Sequence, residues 1–169
     1  QERITDEFFK ILSSQKPSVG LKLLFENGIL KVIFPEIHDL AGVEQRKDFH
    51  HKDVFYHTCQ VLDNIAEAGD DVWLRFAALV HDIAKPPTKK FIEGIGWSFH
   101  GHEELGARMM KRIFDRMKLP LHKLNYIEKL IRLHLRPIAL VDESVTDSAI
   151  RRLAASAGEH LDDLIMLCR

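Results

Sequence analysis

His81-Asp82, inside the run Leu79-Val80-His81-Asp82-Ile83-Ala84-Lys85, sets a neutral nitrogen ligand beside a hard anionic oxygen. Residues 73–84 are apolar on nearly every face, which predicts a helix through the middle of a core. An ionised carboxylate in such a helix is costly unless it is paired or bound to a cation. The preceding turn offers Ala78 and Leu79, and the nearest upstream base, Arg75, is two turns away. Taken alone, the pair also fits a buried His and Asp satisfied by ordinary hydrogen bonds.

The placement of other histidines favours a metal. The chain has 10 His in 169 residues. His57 lies in a predicted helix over residues 53–67, three residues after Val54 and four before Val61, so it faces inward. His134 continues the buried stripe of Ile127, Leu130 and Ile131, and His102 heads the helix that follows Phe99-His100-Gly101. One His on an apolar face is ordinarily a core residue. Four beside a buried Asp are better explained by a divalent-cation centre, which would acidify a bound water. The donors suit Mg, Mn, Fe, Ni, Co or Zn. His38, His50, His51, His122 and His160 lack this support and are expected at the surface, while His100 fits either place. Lys85, one turn past His81, is placed to meet a bound anion or to be a solvated charge at a helix end.

The elements that must position these residues read as helices. Thr5 or Asp6 can cap a first helix to about Ser13; Pro17-Ser18 starts a second, which Asn27-Gly28 stops. A short helix leads to Pro35, and residues 42–48 form a polar link. Four long helices follow, around His57, His81, Arg112 and His134, the second ended by Pro86-Pro87. Lys89-Lys90-Phe91-Ile92 and Gly96-Trp97-Ser98-Phe99 flank Glu93-Gly94 and predict a small hairpin. Two helices, about 146–155 and 159–167, close the chain, separated by Gly158. The predicted fold class is all-α with a hairpin insertion.

No apolar run approaches the ~20 residues of a membrane span and no leader opens the chain, so a cytoplasmic protein with no membrane partner is expected. Cys59 and Cys168 have no metal or redox spacing and read as reduced thiols. Net charge is −1, yet Lys and Arg number 9 against 14 acids in residues 1–84 and 12 against 5 in residues 85–136. Arg108, Arg112 and Arg116 recur every fourth residue as a basic ridge. Such a ridge is either a solvated face or, with Lys85 and Arg136, a surface for RNA phosphates.

The order His57, His81-Asp82, His102, His134 on helices resembles the HD superfamily of metal-dependent phosphohydrolases. The likeness covers about residues 50–169 and is most specific at His81-Asp82-Ile83-Ala84-Lys85. Glu2-Arg3-Ile4, Asp6-Glu7-Phe8-Phe9-Lys10-Ile11-Leu12, Gly28-Ile29-Leu30 and Ile33-Phe34-Pro35-Glu36-Ile37 resemble the RNA-binding helices that follow the head of bacterial tRNA nucleotidyltransferases and poly(A) polymerases. His51-Lys52-Asp53-Val54-Phe55-Tyr56-His57-Thr58 then opens the HD part at that family's spacing.

The resemblance implies a fragment of a CCA-adding or poly(A)-adding type of enzyme. An RNA-binding segment would span 1–48 and an HD domain 49–169, with tRNA or other RNA as partner. It implies a metal at His57, His81 and Asp82, a second at His102 and His134, and a phosphoester substrate acted on through Asp82 and Lys85. The family's Gly-Ser and Asp-x-Asp head has no match here. A last Asp ligand is expected after the final His; Asp147 is the nearby substitute, with a helix cap as its alternative and a ligand past residue 169 as another. Asp162 and Asp163 are expected on the solvent face. A stand-alone HD phosphohydrolase acting on a nucleotide or cyclic phosphodiester is the competing expectation.

Overall fold

The computed structural model describes residues 2–44, 53–140 and 146–168. The N-terminal part holds α1 (Glu2–Leu12), α2 (Pro17–Glu26), α3 (Ile29–Ile33) and α4 (Pro35–His38). Next come α5 (Val54–Ala68), α6 (Val72–Val80), the short α7 (Lys85–Thr88) and a hairpin of β1 (Lys90–Ile92) with β2 (Gly96–Ser98). Then follow α8 (His102–Met117), α9 (Leu124–Leu133), α10 (Arg136–Ala139), α11 (Asp147–Ala157) and α12 (Leu161–Leu167). The fold is all-α apart from that antiparallel hairpin, in which Lys90 pairs with Ser98, Phe91 with Trp97 and Ile92 with Gly96. No helix among the described residues is long and apolar enough to cross a membrane.

Local chemistry sets most helix starts. Asp53 caps α5 by accepting from the Phe55 amide at 2.8 Å, and Asp71 caps α6 through the Trp73 and Leu74 amides at 2.8 and 3.3 Å. Pro17 opens α2, where its missing N–H costs nothing, and Asn27 ends it before Gly28 turns at φ 70°. The predicted cap at Thr5 or Asp6 is corrected: α1 begins at Glu2, and Thr5 is buried, donating to the Met117 carbonyl at 2.6 Å. The second long helix is also shorter than expected. It ends at Val80, residues 81–84 form a turn, and Pro86 and Pro87 lie in the first turn of α7 rather than ending α6. A proline near a helix start needs no hydrogen-bond acceptor, which explains the difference.

One apolar core joins the two parts of the chain. Phe8, Leu12, Leu21, Leu30, Phe34 and Ile37 cluster with Phe76, Leu79, Ile113, Phe114 and Ile127. Phe34 lies between Phe8 and Phe76, at centroid distances of 5.8 and 6.4 Å. Polar bonds add register: the amide and hydroxyl of Ser18 donate to Asp63 at 3.0 and 2.6 Å, holding α2 on α5.

Arg75 is 2% exposed on α6. Its guanidinium donates to the carbonyls of Leu12 and Ser14, each at 2.8 Å, and to those of Ala66 and Gly69 at 3.3 and 2.9 Å. It thereby ties the ends of α1 and α5 together, satisfying carbonyls that no helix can. Sequence spacing marks it only as a distant base; its partners are mostly backbone carbonyls, with the Asp70 carboxylate at 3.3 Å.

Candidate metal centre

Four elements deliver the histidines. His57 is in the first turns of α5, His81 caps the C-terminus of α6, His102 is the first residue of α8, and His134 caps the C-terminus of α9. Gly106 allows this convergence, since a Cβ there would meet the Ile131 side chain at 3.2 Å and that of Ile83 at 3.5 Å. Asp82 stands at the centre, 1% exposed.

The carboxylate divides its oxygens between two pairs of imidazoles. Its Oδ2 is 3.2 Å from His81 Nε2 and 4.0 Å from His57 Nε2; its Oδ1 is 3.3 Å from His102 Nε2 and 3.7 Å from His134 Nε2. His57, His81 and Asp82 thus form one group of close donor atoms, and Asp82, His102 and His134 a second.

A repeated local contact orients three of these rings. His81 Nδ1 lies 2.8 Å from the Ala78 carbonyl, His102 Nδ1 2.8 Å from that of Phe99, and His134 Nδ1 2.6 Å from that of Ile131. A carbonyl only accepts, so each Nδ1 carries the proton, and in a neutral ring each Nε2 then offers a lone pair towards Asp82. His102 Nε2 and His134 Nε2 are 3.3 Å apart. Lone pairs aimed at one another and at a carboxylate require a shared cation or proton. The donor set therefore fits a divalent metal, with ring tautomers fixed by outer hydrogen bonds as ligating histidines require.

Protons on the Nε2 atoms are the alternative to a cation, and they act on Asp82 in the same direction. Burial would raise the Asp82 pKa, but charge on His81 and hydrogen bonds from His102, His134 and His81 hold it well below the usual carboxylate range. Burial lowers His81, yet Asp82 outweighs it and the net shift is upward; at His134 burial prevails and the shift is downward. Lys85 Nζ donates to Asp82 Oδ2 at 2.7 Å and lies 5.7 Å from the Phe99 ring centroid.

A pocket of about 280 Å³ opens beside this cluster, with His57, His81, His134, Gln60, Asn64 and Cys168 among its lining. Sequence inspection missed Gln60 and Asn64, although they sit three and seven residues after His57, on the same helical face. Cys168 donates through its thiol to the His134 carbonyl at 2.9 Å, and burial pushes its pKa up to about 11. Cys59 is pushed by burial up to about 12; neither thiol is in a disulfide.

Other expected site residues fall elsewhere. Asp147 is exposed in the first turn of α11, after Thr146 as N-cap, and belongs to neither close donor group. Arg108, Arg112 and Arg116 do share one helix. Arg108 pairs with Glu104 at 2.9 Å, while Arg116 grips both oxygens of Glu36 at 2.7 and 2.6 Å and Arg112 lies 3.5 Å from the same carboxylate. Arg136 is exposed at the start of α10. Asp162 is exposed as expected, but Asp163 is half-buried and accepts from Tyr126 Oη at 2.9 Å. His100 and His122 are exposed, whereas His38 and His160 are half-buried against Phe25 and Tyr126. His50 and His51 lie outside the described residues.

A family model described as HD domain matches residues 54–163. The chain belongs to the HD-domain family. The match contains all four histidines and Asp82. Residues 1–40 match a second model, described as a probable RNA and SrmB-binding site of polymerase A. The HD protein is 33% identical over 169 residues to an A-adding tRNA nucleotidyltransferase of Deinococcus radiodurans, covering 98% of this chain and 38% of that protein. It is 38% identical over 151 residues to a multifunctional CCA protein of Methylococcus capsulatus, covering 83% and 35%. With a multifunctional CCA protein of Neisseria meningitidis serogroup A, identity is 35% over 135 residues, covering 79% and 32%. The chain spans about a third of the length of these relatives.

Proposed function

We propose that this chain is the RNA-binding and HD portion of a tRNA-nucleotidyltransferase-type protein, whose Asp82 centre holds divalent cation and hydrolyses a phosphoester. The arrangement around Asp82 carries the hydrolase half: a buried carboxylate with each oxygen facing an imidazole pair. His57 and His81 would hold one cation with Oδ2, and His102 and His134 a second with Oδ1. When bound, a divalent cation supplies Lewis acidity and lowers the pKa of an adjacent water. The Nδ1 contacts keep three ring planes fixed, so little reorganisation accompanies loading. Lys85, released from Oδ2, is within reach of an incoming phosphate. Nucleotidyl transfer belongs to the family's head, whose Gly-Ser and Asp-x-Asp pattern these residues lack. tRNA is the proposed partner, supported by the 1–40 match and the names of the relatives; a tRNA-processing protein would work in the cytoplasm.

The test is metal analysis of the purified protein together with hydrolysis of bis-p-nitrophenyl phosphate and of a 2′,3′-cyclic nucleotide. Near-stoichiometric metal that is lost in Asp82→Ala, with loss of hydrolysis, is expected. Full metal content in Asp82→Ala overturns the assignment. A second reading, an HD scaffold without turnover, draws on the Lys85–Asp82 contact, where an ammonium rather than a cation neutralises the carboxylate. No bound metal and no hydrolysis of either substrate would select it.

A further inference from the structure

The hairpin between α7 and α8 leaves aromatic side chains in solvent. Phe91 is 62% exposed and Trp97 39%. They are cross-strand partners and so share a face, with centroids 5.3 Å apart and ring planes at 76°. Lys89 reaches one of these rings, its Nζ 4.2 Å from the Trp97 centroid. Packing of the two rings on each other stabilises a hairpin this short, but it leaves much of their surface open, which in a protein with no partner raises the risk of aggregation.

Two observations point to what covers it. The first is charge: Lys89 and Lys90 stand against Glu93 within the hairpin, in the half of the chain where bases outnumber acids. The second is continuity with the metal centre. β2 runs through Phe99, His100 and Gly101 directly into His102, and Lys85 touches both the Phe99 ring and Asp82. A strand of unpaired nucleotides matches this combination. Its bases stack on exposed rings whatever their sequence, and its phosphates meet the lysines.

We propose that Phe91 and Trp97, with Lys89 and Lys90, form a stacking site for single-stranded RNA that leads it towards the Asp82 centre. The site rests on the reading of this chain as RNA-binding, but its binding step needs no metal. The rings would hold consecutive bases, while Lys89, already over Trp97, would neutralise the phosphate between them.

The experiment is fluorescence-anisotropy titration of the 169-residue protein with a labelled 12-nucleotide single-stranded RNA and with the same strand in duplex. Phe91→Ala and Trp97→Ala should each weaken single-strand binding about tenfold. Duplex binding should stay within twofold, and Phe91→Tyr and Trp97→Phe should restore affinity. Circular dichroism and metal content of the exposed-site variants should be unchanged. Asp82→Ala should keep single-strand affinity while losing metal, so failure of the hydrolase assignment and failure of the stacking site give different results. Unchanged single-strand affinity in both alanine variants overturns the proposal. So does a change confined to self-association in sedimentation, which would make the hairpin a contact between copies.

Discussion

Arg116 of α8 holds both carboxylate oxygens of Glu36, 80 residues earlier, at 2.7 and 2.6 Å. Both sit where α4 meets the end of α8, and Thr5 bonds the last carbonyl of the same helix. Burial would raise the Glu36 pKa, but Arg116 and then Arg112 bring it below its ordinary 4.5. A depressed carboxylate stabilises the fold fully above its unfolded pKa, and that stability disappears as pH falls through the folded value. Glu36→Gln should therefore unfold several degrees below the wild type at pH 7. The gap should close as the pH is lowered below about 4.5. Thermal denaturation at a series of pH values checks this; a gap that persists at low pH would assign the loss to packing.

The same pair divides the basic ridge. Arg108 and Arg112 are about 70% exposed, but Arg116 is half-buried and engaged. Arg108→Ala and Arg112→Ala should each flatten the dependence of log K on log salt for tRNA binding by about one unit. Arg116→Ala should leave that slope nearly intact and instead cost about 1–3 kcal/mol of stability, because it strands Glu36. Equal slopes in all variants would make the ridge a solvated face.

On the proposed reading, a cation would compete for Asp82 Oδ2 with Lys85, which lies 2.7 Å from it. Lys85→Met keeps the aliphatic stem and removes the charge, so metal affinity, read by calorimetry, should rise several-fold. If Lys85 also meets substrate phosphate, KM for a phosphodiester should rise in the same variant. Weaker metal binding would show instead that Lys85 orients the carboxylate.

Gly106→Ala tests the close approach of α8. The added methyl meets Ile131 at 3.2 Å and Ile83 at 3.5 Å, two side chains flanking the centre. The methyl pushes α8 outward and carries His102 with it. Metal affinity should fall about tenfold or more, with stability lowered by about 1–3 kcal/mol. A variant that unfolds early but binds metal normally would place the strain away from the centre.

Residues that interact through their own helix were legible from spacing. His57 and His134 follow apolar stripes, and the hairpin follows from Glu93-Gly94 between two β-prone runs. What stayed hidden depends on distant parts of the chain. Arg75 is buried where the end of α1 and the loop after it, 63 and 61 residues away, bring carbonyls to it, and no local pattern records that. Asp163 looked solvent-facing because its partner, Tyr126, is on another helix 37 residues earlier. Apolar periodicity puts Asp82 within a helix, but it lies in the turn after one, and its closest partner, Lys85, three residues on, reads from spacing as a residue for substrate or a solvated charge and not as its ion pair.

The helix positions of the four histidines give the centre a direction. α6 and α9 end there, at His81 and His134, while α8 begins there at His102 and α5 brings His57 in its first turns. Peptide dipoles turn the C-terminal ends of α6 and α9 into partial negative charge beside Asp82, and the N-terminal ends of α5 and α8 into partial positive charge. Each donor group thus pairs a helix C-terminus, which favours a cation, with the N-terminal part of another helix, which favours an anion, before any ligand arrives. A phosphate approaching such a cavity is oriented by main chain alone, its charged oxygens drawn towards α5 and α8 and its counter-ion towards α6 and α9.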